Sequence, residues 1–296
     1  MHQNRSASFP LVSILTPSFN QRHWLVDTLD SVAHQTYPHL EHVVVDGGST
    51  DGSVELIRST LPAESWVSEP DQGQSNAINK AFARSHGEII GWLNSDDAYL
   101  FTDAVERVVA HFDAHPEVDV VYGHAALAGE TGRLLHVVWA PRYSQRLLRW
   151  SNYIAQPTVF MRRRVLERGF LDESLHYTMD HELWVRLAQE HTFSRVDFVV
   201  AIDRHQPGRK VYLRPDLVLQ ENVRLADAYG LPSIRAGAPV RLLWRMYFRL
   251  RGAATAIRLS ETRKAFAWSI DGRRQFLVRQ LVVKRRFMTT GEAGPA

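Results

Sequence analysis

Short apolar runs alternate with amphipathic segments along the first hundred residues. The runs at 11–15 and 42–45 are rich in leucine, isoleucine and valine, which is typical of strands buried in a parallel sheet. Between them, Leu25, Leu29 and Val32 recur at helical spacing, so a helix is predicted from about position 23. This strand–helix–strand order with short connections indicates an α/β protein.

The alternation continues as far as Asn94. A second helix is predicted around Ile57, a short strand at 66–67, a third helix over 75–85 and a strand that ends at Asn94. The repeated order predicts a doubly wound, mostly parallel sheet flanked by helices. In such sheets, ligands bind beyond the carboxyl ends of the strands. Three polar residues that follow predicted strand ends should therefore share one edge: Asn20, Asp46 and Asp96.

Beyond residue 100 the pattern predicts a helix that Thr102 caps. Its buried face should consist of Val105, Val108, Val109 and Phe112. Residues 118–160 favour strands, residues 180–190 favour a helix and residues 196–202 favour another strand. The chain therefore continues as one large α/β domain rather than as a repeat.

Charge divides the chain near residue 231. Residues 1–234 carry 21 basic and 29 acidic side chains, whereas 14 Lys and Arg residues lie within 235–286. We therefore predict a domain over 1–230 and a basic, helical C-terminal extension over 231–296. In this extension, arginine recurs at four-residue spacing at Arg241, Arg245 and Arg249, among apolar residues. Such a helix can contact an anionic membrane through 235–286, or it can pack on the body of the protein. No nucleic-acid recognition motif is present, so no nucleic acid is expected to bind.

The first residues and the lengths of the apolar runs favour a cytoplasmic protein, peripheral at most at the inner face of the plasma membrane. The first ten residues, MHQNRSASFP, lack the apolar core of a signal peptide. No apolar run approaches the ~18 residues of a spanning helix. The sequence contains no cysteine, so any metal must be held by oxygen and imidazole.

The stretch GWLNSDDAY places two adjacent carboxylates, Asp96 and Asp97, after a buried strand. Carboxylates suit a hard divalent cation such as Mg²⁺ or Mn²⁺, which commonly binds a diphosphate as well. The same pair can instead be turn and capping residues before the next helix. The pair alone leaves both interpretations open.

Seven segments in order resemble the nucleotide-sugar-dependent glycosyltransferases of family 2, which have the GT-A fold. They are SILTPSFN (13–20), LEHVVVDGGSTDGS (40–53), EPDQGQSNAINKAF (69–82), GEIIGWLNSDDAY (87–99), QPTVFMRR (156–163), MDHELWVRLA (179–188) and RHQPG (204–208). The resemblance covers about residues 10–210. It implies a nucleotide-sugar half over about 10–100 and an acceptor half over about 101–210.

The resemblance implies a nucleotide-sugar site made of Pro17, Ser18, Asn20, Asp46, Asp71, Gly73, Asn79, Lys80, Asp96 and Asp97. In the family, the first three positions contact base and ribose, and the acid at Asp46 binds the base. An ordinary strand-to-helix turn also fits Pro17, Ser18 and Asn20, and Lys80 can be a solvated helix lysine. Gln156, Trp139, Trp150 and Arg163 can line an acceptor pocket, although core packing is the commoner role of tryptophan.

The resemblance further implies a divalent cation, Mn²⁺ or Mg²⁺, held by Asp96 and Asp97, with His205 as a candidate third ligand. Two positions depart from the family pattern. Asn94 stands where many members carry aspartate, and Gly47 replaces a frequent second aspartate. These departures leave open which acid touches the ribose.

Asp180 is the candidate catalytic base. It opens the predicted helix at MDHELW, where a helix dipole alone would favour an acid by ~0.3–1 kcal/mol. The resemblance implies instead that this acid removes the proton of the acceptor hydroxyl.

The function expected from the resemblance is an inverting hexosyltransferase. It moves a sugar from a nucleoside-diphosphate sugar, with UDP as the expected nucleotide, to a glycan or lipid-linked acceptor in polysaccharide or cell-envelope synthesis. A sugar nucleotidyltransferase and a non-catalytic nucleotide-sugar-binding protein of the same fold are the alternatives.

Overall fold

The computed structural model describes residues 9–130, 132–205 and 213–232, together with Met246. This part of the chain forms one nine-stranded sheet with helices on both faces. Along the sheet, hydrogen-bonded neighbours follow the order β3-β2-β1-β4-β8-β6-β9-β5, and β7 pairs with β6 outside this path. The α/β class with a mostly parallel sheet is confirmed.

The first half of the sheet is parallel. Its strands are β1 (Val12–Ser18), β2 (Leu40–Asp46), β3 (Trp66–Ser68) and β4 (Ile89–Trp92). The connecting helices are α1 (Arg22–Ala33), α2 (Ser53–Thr60) and α3 (Gln74–Arg84). Each predicted element is present, although β4 ends two residues before Asn94.

The second half of the sheet is mixed. Its strands are β5 (Ala98–Tyr99), β6 (Val120–Gly129), β7 (Leu134–Val138), β8 (Phe160–Arg162) and β9 (Phe193–His205). Its helices are α4 (Ala104–Ala114), α5 (Gln145–Leu148), α6 (Met179–Leu187) and α7 (Pro215–Tyr229). Strand β6 pairs antiparallel with β7 and β8 and parallel with β9. Strand β8 also pairs antiparallel with β4, so it joins this half to the parallel half.

Apolar residues fill both faces of the sheet. Successive strand residues point to opposite faces, and Ile14 and Leu15 accordingly belong to different buried clusters. Ile89 and Ile90 of β4 divide in the same way. Strands buried on both faces need continuous apolar runs, which explains why β1, β2 and β4 could be predicted from such runs.

Two predicted boundaries differ from the structure. The residue before helix α4 is Asp103, so the prediction that Thr102 caps this helix is wrong. The N–H of Val105, in the first turn, donates instead to Gln35 Oε1 at 3.1 Å. The Thr102 carbonyl instead accepts a hydrogen bond from the Thr36 N–H at 2.8 Å, which holds it outside the helix. Strand β9 is also longer than predicted, because it extends along β6 as far as His205.

Helix α7 closes the described part of the chain and was not predicted. It ends at Gly230, whose left-handed conformation (φ 63°, ψ 41°) is the common helix-terminating geometry. The predicted extension over 231–296 lies almost entirely outside the described residues, so its boundary, its helices and its membrane contact stay predictions. Within the described residues, no helix is both long enough and apolar enough to cross a membrane.

Candidate active site

The carboxylate of Asp46, the last residue of β2, is fully buried. Its Oδ2 atom accepts hydrogen bonds from the N–H groups of Gly48 and Ser49, at 3.1 and 2.8 Å, and from Ser68 Oγ at 2.8 Å. Its Oδ1 atom accepts from Ser49 Oγ at 2.5 Å. These bonds fold the loop after β2 over the end of the sheet. The predicted contact of Asp46 with a nucleobase stays a prediction, and this geometry does not favour it.

Strand β1 ends at the same edge, where Ser18 pairs with Asp46 and follows the buried Pro17. Ser18 is 3% exposed, and its hydroxyl has no hydrogen-bond partner among the described residues. Asn20 adopts a φ of 51°, and its side-chain oxygen accepts a hydrogen bond from the Thr50 N–H at 2.9 Å. Because buried polar atoms are normally hydrogen-bonded, the Ser18 hydroxyl is suited to a partner supplied by a ligand.

The N-terminus of α3 lies at this edge as well, because α3 follows the carboxyl end of β3. Asp71 is half-buried there, and its Oδ1 atom accepts a hydrogen bond from the Gly73 N–H at 2.8 Å. Gly73 takes a φ of 111°, which side chains rarely adopt. Asp71 and Gly73 thus form a tight turn that enters the helix at the polar edge.

Asn79 and Lys80 lie further along α3 and contact the protein itself. The Asn79 amide donates to the Leu171 carbonyl at 2.9 Å and to the Glu173 carboxylate at 2.8 Å. The Lys80 ammonium pairs with the Glu69 carboxylate at 2.7 Å. Their predicted contact with the nucleotide-sugar stays untested, and the bonds they make stabilise the loops around the site.

Asp96 and Asp97 occupy a turn between β4 and β5. The turn is closed by a hydrogen bond from the Asp97 N–H to the Asn94 carbonyl at 3.0 Å. Asp97 is buried, and its carboxylate accepts from the Arg204 N–H at 3.0 Å and from Asn94 Nδ2 at 3.3 Å. Asp96 is half-buried. Asp96 is therefore the more accessible acid of the pair, and Asp97 holds β9 against the turn.

Arg204, in β9, anchors this turn although it is only 2% exposed. Its Nε donates to the Asp96 carbonyl at 2.9 Å, and its Nη2 pairs with the buried Asp27 carboxylate of α1 at 2.8 Å. The guanidinium also lies 4.6 Å from the centre of the Trp24 ring. His205 is the next residue and the last of β9, and its predicted role as a metal ligand stays a prediction.

Asn94 stands at the centre of a side-chain network. Its oxygen accepts hydrogen bonds from Gln74 Nε2 at 2.7 Å and from the Trp92 indole at 2.8 Å. Its Nδ2 donates to Gln156 Oε1 at 2.7 Å and to Asp97 Oδ2 at 3.3 Å. Gln156 Nε2 in turn donates to the Trp92 carbonyl at 2.6 Å. All of the amide's hydrogen-bonding groups are used, which an aspartate at this position could not achieve.

Asp180 lies in the first turn of α6 and is half-buried. Its Oδ2 accepts a hydrogen bond from Asn152 Nδ2 at 2.8 Å, and its Oδ1 accepts from the His181 N–H at 2.8 Å. Burial raises the pKa of Asp180 above its ordinary value, against the opposing effects of His181 and of these hydrogen bonds. A carboxylate with a raised pKa is a stronger base, and such values concentrate at functional sites.

A single short segment links Asp180 to the Asp96 turn. Asn152 binds the Asp180 carboxylate, and Gln156, four residues further on, binds Asn94. Four residues of extended chain span at most ~14 Å. This segment therefore connects the side chain that holds the candidate base to the network beside the carboxylate turn.

Glu221 of α7 holds the loop before α6. Its buried carboxylate accepts hydrogen bonds from the N–H groups of His176 at 2.8 Å, Tyr177 at 2.8 Å and Thr178 at 2.9 Å. The residue that precedes α6, Thr178, makes no side-chain cap. Glu221 therefore fixes the entry to the helix on which Asp180 lies.

The residues at the turn fit a divalent cation that is shared with a diphosphate. Among the described residues, no three His, Asp or Glu side chains converge closely enough to hold a metal by themselves. Mg²⁺ characteristically binds through one or two carboxylates and substrate phosphates, and Mn²⁺ also suits oxygen ligands. Asp96 supplies such a carboxylate, whereas both oxygens of Asp97 already accept hydrogen bonds.

A nine-stranded α/β sheet with a carboxylate turn at its polar edge has the GT-A architecture of nucleotide-sugar glycosyltransferases. The family model described as Glycosyl transferase family 2 matches residues 13–170, more than half of the chain. The chain therefore belongs to glycosyltransferase family 2.

Known proteins agree with this assignment. A putative teichuronic acid biosynthesis glycosyltransferase of Bacillus subtilis, TuaG, is 37% identical over 94 residues, covering 30% of this chain and 37% of TuaG. The chain spans 37–60% of the lengths of this and other similar curated glycosyltransferases.

Two solved structures share the fold. The Pyrobaculum calidifontis mannosyltransferase PcManGT, in complex with GDP-Man and Mn²⁺, has a TM-score of 0.59 at 20% identity and covers 97% of this chain and 89% of its own. Staphylococcus aureus TarS 1-349, in complex with UDP-GlcNAc, has a TM-score of 0.54 at 22% identity. The match covers 68% of this chain and 60% of the TarS chain. At these identities the likeness shows the fold alone.

Sequence reasoning missed two residues of the site region, Arg204 and Glu221. Arg204 lies within a motif that the resemblance identified, but its partners are distant in sequence. Gln156 was expected to line an acceptor pocket, and its contacts with Asn94 and Trp92 were not predicted. Glu221 had a signal, because it lies four residues before Leu225 on the buried face of a helix that Pro215 begins and Gly230 ends. Arg163, in contrast, does not line an acceptor pocket. It binds the Gly87 carbonyl at 2.6 Å, at the opposite end of β4.

Proposed function

We propose that the protein is an inverting glycosyltransferase that moves a sugar from a nucleoside-diphosphate sugar to an acceptor hydroxyl. The observation that carries this proposal is Asp180. Its carboxylate is half-buried, has a raised pKa and is held by Asn152, and the segment 152–156 connects it to Asn94, which precedes the carboxylate turn. Membership of family 2 supplies the reaction class.

The chemistry is a direct displacement. The acceptor oxygen forms a bond to the anomeric carbon while the bond from that carbon to the diphosphate oxygen breaks, and the diphosphate leaves with the electron pair. Asp180 takes the proton of the attacking hydroxyl. Positioned general bases of this kind contribute ~10²–10⁴ in rate. Attack from the side opposite the leaving group inverts the anomeric configuration.

A divalent cation bound by Asp96, with His205 as a further ligand, would neutralise the negative charge that develops on the departing diphosphate. Arg204 positions Asp96, because its Nε binds the Asp96 carbonyl. The PcManGT complex contains Mn²⁺, which supports this cofactor for the fold. Asp97 acts here as a structural acid rather than as the first metal ligand.

The expected donor is a UDP-sugar, and the expected acceptor is a glycan or lipid-linked precursor of the cell envelope. TarS was solved with UDP-GlcNAc, and TuaG is described as acting in teichuronic acid biosynthesis. PcManGT was solved with GDP-Man, so GDP-sugars belong in the same test. The basic extension would bring the site to an anionic surface where such acceptors reside.

Thermal stabilisation of the full-length protein tests the donor site. We expect one nucleoside diphosphate among UDP, GDP, dTDP and CDP to raise the melting temperature, with a larger shift in Mn²⁺ than in EDTA. Asp180→Asn should keep this shift but lose transfer from the matching sugar donor. A full rate in Asp180→Asn would contradict the assigned base. Binding by wild type with no transfer to any acceptor or water would favour a non-catalytic protein.

A further inference from the structure

The sequence departs from the family pattern at Gly47, and the structure gives a steric reason. Gly47 does not have a positive φ, so its backbone conformation does not require glycine. A Cβ atom at this position would lie 2.6 Å from Asp71 Oδ2, 3.1 Å from Asp71 Cγ and 3.2 Å from Phe19 Cδ2. All three contacts are with side chains, so a side chain at position 47 would have to displace the Asp71 carboxylate. The Asp71 carboxylate therefore fills the space into which a side chain at position 47 would project.

The neighbouring acid, Asp46, cannot easily act in place of the missing one. It is 0% exposed, and both of its oxygens accept hydrogen bonds from the loop 47–49 and from Ser68. A ligand could bind this carboxylate only after some of these bonds were broken. Breaking them leaves buried donors unsatisfied, which is costly.

Asp71, unlike Asp46, has a carboxylate oxygen that can accept a hydrogen bond from a ligand. Its Oδ1 atom accepts a hydrogen bond from the Gly73 N–H at 2.8 Å, and its Oδ2 atom accepts none from the described residues. The Phe19 ring beside it is 60% exposed, although phenylalanine is normally buried. An accessible carboxylate oxygen next to an accessible aromatic ring suits a flat ligand with an N–H group on its edge.

We propose that Asp71 is the acid that recognises the nucleobase of the donor, in the space that Gly47 leaves open. This assignment rests on the proposed function. The ligand is a base with a ring N–H, namely uracil, thymine or guanine, because a carboxylate accepts that hydrogen bond. Cytosine presents an unprotonated ring nitrogen at the same position, which would repel the carboxylate. Asp71 thus acts as a specificity residue for the base.

Asp71→Asn tests the assignment with little change in shape. We expect ~10–100-fold weaker binding of the preferred diphosphate among UDP, dTDP and GDP, the range for loss of a hydrogen bond to a charged group. CDP binding should stay equal or improve, because an amide can donate to the ring nitrogen of cytosine. Asp172→Asn is the matched control. Asp172 is exposed and accepts a bond from the N–H two residues ahead, Ser174, at 2.9 Å, as Asp71 does from Gly73.

An exchange of residues between the two positions gives an independent test. Gly47→Asp alone should weaken binding, because the new side chain collides with the Asp71 carboxylate. Asp71→Gly alone should weaken it by removing the acid. The double variant Gly47→Asp with Asp71→Gly leaves Phe19 as the remaining close neighbour and should bind the preferred nucleotide at least ~10-fold more tightly than Asp71→Gly.

Isothermal titration with each nucleotide in the presence of Mn²⁺ measures these affinities on the full-length protein. Wild-type affinity in Asp71→Asn would overturn the assignment. An equal loss for UDP and CDP would overturn it as well, because it would place a ribose hydroxyl, which all nucleotides share, against Asp71. If wild type binds no nucleoside diphosphate, the proposed function itself fails, which differs from either of these outcomes.

Discussion

Restoring the residue that many family members carry at position 94 should damage this protein. Asn94→Asp replaces the Nδ2 donor with a carboxylate oxygen of nearly the same size. Gln156 Oε1 and Asp97 Oδ2, which now accept hydrogen bonds at 2.7 and 3.3 Å, would then face an oxygen. Gln156 cannot simply turn its amide, because its Nε2 already donates to the Trp92 carbonyl at 2.6 Å.

The expected cost follows from these contacts. Each acceptor left unsatisfied costs ~1–3 kcal/mol. Two full charges 3.3 Å apart would repel by ~5 kcal/mol at an effective dielectric constant of about 20, but uptake of a proton by the pair limits this cost. We expect a net loss of about 3 kcal/mol, which lowers the melting temperature by ~6–12 °C for a domain of this size.

The loss should depend on pH in a defined direction. Repulsion raises the folded-state pKa of the carboxyl pair, so the penalty is largest at neutral pH and shrinks as pH falls toward the ordinary carboxyl range. Melting curves of both proteins at pH 5 and pH 8 measure this difference. Asn222→Asp is the control, because within the described part of the chain the Asn222 amide donates to the Val218 carbonyl on α7 alone, at 2.8 Å. A melting temperature within ~1 °C of wild type for Asn94→Asp would refute the network argument.

Three further predictions concern the base and its supports. Asp180→Asn should raise the melting temperature at neutral pH while transfer is lost, because the raised pKa means that ionised Asp180 destabilises the folded state above its ordinary pKa. The gain in melting temperature should vanish at acidic pH. An unchanged or lower melting temperature at pH 8 would contradict this prediction. Glu221→Gln should lower the unfolding free energy by ~2 kcal/mol, because the Glu221 carboxylate supports the loop before α6. It should also reduce kcat with little change in the donor KM. Urea unfolding and steady-state kinetics measure these two effects. Arg204→Met should cost ~3–5 kcal/mol, because it removes the guanidinium that pairs with the buried Asp27 carboxylate. Adding Asp27→Asn should recover part of that loss in denaturant titrations, and no recovery would argue against the ion pair.

The parallel half of the sheet could be predicted because its strands are buried on both faces and its helices are amphipathic. The mixed half was harder, because the short strands β5 and β8 have two and three residues and depend on β9 and β6 for their pairing. Local pattern carries little information about such pairing. Helix α7 was missed although Pro215 and Gly230 mark its ends.

The residues of the site also divide into those that the sequence predicts and those that only the folded structure identifies. Asp71, Asp96 and Asp180 could be proposed from sequence because they follow strand ends or open a helix within recognisable motifs. Their supports could not, since Arg204 reaches Asp27 across 177 positions and Glu221 reaches Thr178 across 43. The different states of Asp46 and Asp71 also depend on the folded loop, because only their hydrogen-bond partners distinguish two aspartates of the same edge.

Helix α7 has a practical consequence for anyone who shortens this protein. The family model ends at residue 170, but Leu225, Ala226 and Leu231 belong to the same apolar cluster as Trp184 of α6. A fragment trimmed to the matched region would lose Asp180, and one that stops before α7 would expose that cluster and release the loop that Glu221 holds. A truncation intended for crystallisation or for acceptor screening should therefore retain the chain through at least residue 232.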